Sequence, residues 1–74
     1  MAQVGKGDTR AAIALFDQLI ASKPSAAAYY GRAMAYQTAG QQANSLKDLD
    51  QAIALDPRNP HYPQVRAQVA GDKK

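Results

Sequence analysis

Apolar residues recur at helical spacing in four stretches of this chain, and each stretch is bounded by residues that start or stop helices. The first stripe is Ala12, Ile13, Phe16, Leu19 and Ile20, which a helix gathers on one face. Asp8 is its candidate N-cap, and Lys23-Pro24 ends it, because the residue before a proline resists the helical conformation. Ser25 is placed to cap a second helix. Along it Tyr29, Ala33 and Tyr36 share one face, and Tyr30, Met34 and Gln37 an adjacent one. Gly40 stands where a left-handed closing residue is wanted. The third stripe is Leu46, Leu49, Ala52 and Ile53, with Leu55 near the end, while Lys47, Asp48, Asp50 and Gln51 are expected to face mainly outward. Asp56-Pro57 stops that helix. Asn59 can cap a fourth, and Pro60 suits its first turn. There Tyr62, Val65 and Val69 keep helical spacing, and Pro63 is tolerated so close to the start.

The pattern therefore predicts an all-α chain with helices over 8–22, 26–39, 41–55 and 60–70. Residues 1–7 read as a flexible lead-in and 71–74 as a polar tail. The connections are only a few residues long, which makes consecutive helices antiparallel.

The pattern also repeats. Gly7-Asp8 precedes the first helix as Gly40-Gln41 precedes the third, and Pro24 and Pro57 end those helices at the same separation. Between these marks Ile13, Phe16 and Ile20 recur as Leu46, Leu49 and Ile53, so the two helices are equivalent copies. Arg32-Ala33 of the second helix recurs as Arg66-Ala67 of the fourth.

The unit from Ala26 to Asn59 resembles the tetratricopeptide repeat family and has the length of that family's repeat. Tyr29 and Tyr36 stand at its two aromatic sites and Gly40 at its turn glycine. Ala33, Ser45 and Ala52 stand at its small-residue sites, Leu49 at its large one, and Pro57 at its closing proline. The run from Ala52 to Asn59 is a close match. Arg32 stands where the family usually has leucine and Ser45 where it usually has alanine. An arginine at such a site can pack its stem and expose its head. The physical logic is that small residues let helices approach while large ones fill the space around them. The resemblance covers one full repeat, a preceding half repeat and a C-terminal helix. It implies antiparallel helix-turn-helix units in a short right-handed superhelix.

Composition narrows the chemistry. A chain of 74 residues buries a modest core and gains from a partner. It has no cysteine and a single histidine, His61. Disulfides, thiolate metal sites, a cysteine nucleophile and a multi-histidine zinc site within one chain are thereby excluded. The formal charge of +3 is scattered, with a small excess after Pro60, unlike the basic stripe that a nucleic acid would require. There is no stretch long and apolar enough to span a membrane and no signal peptide. A soluble chain is expected; its compartment is open, with the cytoplasm favoured. Gly5 to Thr9 lacks phosphate-loop spacing. Asp48-Leu49-Asp50 lacks the further ligands of a calcium loop, and its two aspartates diverge on a helix. His61 is expected to lie exposed at a helix start. No catalytic residue, metal site or cofactor is predicted, and the chain is not expected to be an enzyme.

What remains is interaction. Repeat units bury their core by stacking. The stripe Ile13, Phe16, Leu19 and Ile20 has too few partners in its own chain: either the chain is part of a longer array, or a second copy covers the stripe, as in a homodimer, or the fourth helix folds back further than a regular solenoid allows. The stripe is the candidate self-association surface. The resemblance implies an inner surface holding a peptide or helix of a protein partner, here Ala27, Tyr30, Met34, Gln37 and Thr38. It also disfavours a terminal-carboxylate clamp, because the matching sites Tyr30, Gly31, Met34, Gln64 and Gln68 carry no cation.

Overall fold

The computed structural model describes residues 6–71, and four helices account for most of them. They are α1 Lys6–Ser22, α2 Ala26–Thr38, α3 Gln42–Leu55 and α4 His61–Gly71. There is no strand among the described residues. Each helix packs on the next in the order α1, α2, α3, α4.

The boundaries follow local chemistry. Ser25, in an extended conformation, accepts a hydrogen bond from the Ala28 backbone N–H at 3.1 Å and so caps α2. At the other end of α2, Gly40 has φ +83°. There the Gly40 N–H donates to the Gln37 carbonyl and the Gln41 N–H to the Tyr36 carbonyl, the paired bonds of a Schellman turn. Asn59 Oδ1 accepts the His61 backbone N–H at 2.9 Å and fixes the entry to α4. Pro63 falls in the first turn of α4, where its missing N–H has no helical partner to lose.

Two expectations need correction. α1 opens at Lys6, so Asp8 lies inside its first turn and is not the residue ahead of it. The lead-in is thereby confined to residues 1–5, which, with 72–74 of the polar tail, lie outside the described residues. α3 opens at Gln42 after Gln41, whose side chain makes no capping bond.

The core is small and lies where α2, α3 and α4 meet. Ala33, Leu49 and Val69 are its buried centre, and Tyr30, Met34, Leu46 and Val65 pack around it. Ala33, Ser45 and Ala52 are fully buried, as expected of small residues at a close helix crossing. Gln42 Nε2 donates to the Val69 carbonyl at 2.6 Å and ties the last turn of α4 to the start of α3.

Candidate interaction surfaces

Arg32 organises the inside of the repeat. Its Nε and one terminal nitrogen donate to the two carboxylate oxygens of Asp48, both at 2.8 Å. Its other terminal nitrogen donates to Asp17 at 2.7 Å. One side chain on α2 thus bridges α1 and α3. Its guanidinium carbon also lies 5.6 Å from the Tyr29 ring centroid and 5.8 Å from that of Tyr36, within cation–π range. The Asp48 hydrogen bonds hold the guanidinium above its ordinary pKa range; burial opposes this and Asp17 adds to it. Two sequence expectations change here. Asp48 is buried against Arg32 and does not face outward. The head of Arg32 is clasped between helices and is only 21% exposed. A fork of fixed donors suits such a bridge, and lysine would not replace it.

A second ion pair matches part of the first. Arg66 on α4 donates from Nε to Asp50 on α3 at 2.5 Å. Asp50 corresponds to Asp17 as Leu49 corresponds to Phe16, and Arg66 corresponds to Arg32 as Ala67 does to Ala33. The α1–α2 and α3–α4 joints therefore carry the same clasp. Packing beside it matches too. The Phe16 ring lies against Gly31, where an added Cβ would collide with it. In the equivalent joint the space is shared by Leu49 and Val65.

The predicted self-association stripe divides into two faces. Ile13, Phe16 and Ile20 are half-buried, whereas Leu19 is exposed. Leu15, absent from the stripe read off the sequence, is the most exposed large apolar residue among those described, at 60%, with Leu19 at 53%. Ala12, Leu15, Phe16 and Leu19 line an open apolar cleft along α1. Their counterparts in α3, one repeat further on, are Ser45, Asp48, Leu49 and Ala52. All four are buried there. The repeat offset, applied position by position, is the sequence signal that points to Leu15.

The predicted inner surface is split as well. Tyr30 is engaged within the chain. Its hydroxyl lies 3.1 Å from His61 Nε2, and its ring meets His61 edge-on and Tyr62 at a tilt, each with centroids 5.3 Å apart. His61 is exposed at the start of α4, as expected. Met34 and Gln37 line an open groove together with Val65, Ala67, Gln68 and Val69 of α4, so Ala67 borders both this groove and the outer face of α4. Thr38, with Met34, borders a separate cleft towards α1. Ala27 lies near the N-terminus of α2 beside Phe16 and Leu19. The predicted residues thus border separate openings.

Residues 26–59 match the family model described as tetratricopeptide repeat. α2, the turn at Gly40 and α3 therefore make up one such repeat, a unit that generally mediates protein–protein interaction. No curated protein and no solved structure matches the chain. No helix of the described residues is long and apolar enough to cross a membrane.

Proposed function

We propose that this chain is a non-enzymatic protein-interaction module whose main docking surface is the open face of α1, and that it takes a helix with an apolar face. One observation carries the reading. Leu15 and Leu19 are more than half exposed at positions whose counterparts in α3 are buried under α2. A helix of the α2 kind is the shape that such a face accommodates. Covering the exposed parts of the two leucines contributes on the order of 2–3 kcal/mol, a useful anchor when neighbouring contacts add to it.

A second reading rests on the α2–α4 groove. Met34, Gln37, Val65 and Gln68 combine adaptable apolar surface with amide groups. That composition suits an extended peptide.

Selection of helical peptides from a displayed library, followed by titration of the binders against labelled chain, separates the two. Docking on α1 predicts shifts at the methyls of Leu15 and Leu19. It also predicts at least tenfold weaker binding in a Leu15→Lys/Leu19→Lys variant whose melting is unchanged. Binders that move the Met34 methyl and tolerate that variant would transfer the function to the groove.

A further inference from the structure

The two matching clasps, Asp17 to Arg32 and Asp50 to Arg66, mean that α4 sits on α3 as α2 sits on α1. α4 is thus a second helix of the α2 kind. The α2 face that carries Ala33, buried against Leu49 of α3, also holds Tyr29 and Tyr36 at helical spacing. Its counterpart on α4, at the offset that carries Arg32 to Arg66, is Pro63, Ala67 and Ala70. All three are exposed. Among the described residues, one end of the stack therefore presents an α3-like face with nothing on it, and the other end presents an α2-like face with nothing on it.

From this pairing we infer that the occupant of the α1 face is α4 of a second copy of the chain, joined head to tail. The inference rests on the reading of α1 as the docking face.

The two faces complement each other in size. Inside the repeat the α2 wall carries Tyr29 and Tyr36, and the α3 wall carries the buried Asp48 and Ala52 at the positions of Leu15 and Leu19. Between copies the bulk moves to the other wall. Leu15 and Leu19 on α1 oppose Pro63, Ala67 and Ala70 on α4. The electrostatics permit the change. Leu15 stands at the position of Asp48, so the joint offers Arg66 no new carboxylate, but Arg66 retains Asp50 within its own chain. The joint therefore strips no partner from Arg66. It is heterologous: each added copy covers one face and presents the other again. It prolongs the stack instead of closing it.

The experiment uses edge variants of the whole chain, weighed by sedimentation across a dilution series. Leu15→Lys/Leu19→Lys blocks the α1 edge and Ala67→Lys blocks the α4 edge. Each variant alone is expected to associate at least tenfold more weakly than the parent. An equimolar mixture of the two is expected to form a two-chain species and stop there, because each supplies the edge that the other lacks. As a second route, Leu19→Cys and Ala67→Cys chains, which carry no other cysteine, should form mixed disulfides on oxidation in preference to either homodimer. An Ala67→Lys chain that dimerises like the parent would overturn the inference in favour of a symmetric α1–α1 joint. A mixture that stays single-chain, with no preference for the mixed disulfide, would overturn it as well. If the chain remains single while selected helical peptides still bind at Leu15 and Leu19, the second copy fails as occupant but the docking face stands. Loss of both removes the face itself.

Discussion

Arg32 and Asp48 show how one residue pair can connect three helices and still be a fragile element. The carboxylate of Asp48 is 6% exposed and accepts two bonds from a guanidinium that also holds Asp17. Removing one partner of such a pair leaves the other poorly solvated, whereas replacing both with apolar residues of similar size can be nearly neutral. Asp48→Leu alone is therefore expected to cost about 2–3 kcal/mol in chemical denaturation, less than a fully enclosed pair because Asp17 still holds Arg32. Arg32→Leu/Asp48→Leu should recover at least half of that loss. A double variant as unstable as the sum of its singles would contradict this. At this scale the local signals were legible: Ser25 and Gly40 act through neighbours in sequence, and their roles follow from residue type. The Arg32 clasp was not. Its partners lie on other helices, more than a dozen positions away along the chain. A charge on an exposed helix reads the same as one turned inward until the neighbouring helix is in place.

Between elements, the same joint is built twice from different residues. α1 meets α2 with a large ring on Gly31, and α3 meets α4 with two medium side chains, Leu49 and Val65. The bulk is shared differently between the two helices of each joint, the kind of exchange that volume-conserving core changes make. Gly31→Val should push Phe16 out of its seat and destabilise the chain by about 1–3 kcal/mol. Phe16→Leu/Gly31→Val, which copies the α3–α4 arrangement, should restore much of this in thermal melting. A single substitution with no effect would mean that α1 is not seated on α2 as described. The four helices, their antiparallel order and the length of the repeat unit were readable because stripes, caps and prolines are local features with fixed periods. The division of the α1 stripe was not. Ile13, Phe16, Leu19 and Ile20 form one helical band, and only the seating of α2 on Phe16 decides which part of it is covered, leaving Leu19 open beside Leu15.

For the whole molecule, the small core and the open face belong together. A chain whose buried centre is Ala33, Leu49 and Val69 has limited stability of its own, and the proposed association would add to it by mass action. Helical repeats do so by stacking, with each unit covering the next. The peptide-binding surface inferred from the family resemblance is spread over separate openings because α4 engages Tyr30, through His61 and Tyr62, and borders the groove beside Met34. Sequence position alone could not show that, since α4 reaches this surface only through its packing on α3.

The central claim, that the Leu15 and Leu19 face is a docking surface filled by α4 of another copy, is tested most directly by the mass of the unmodified chain in solution from micromolar to millimolar concentration. The account predicts a mean mass that rises above the 7.9 kDa of one chain and continues past two chains without a plateau. A mass fixed at one chain throughout, or a plateau at two, would contradict it.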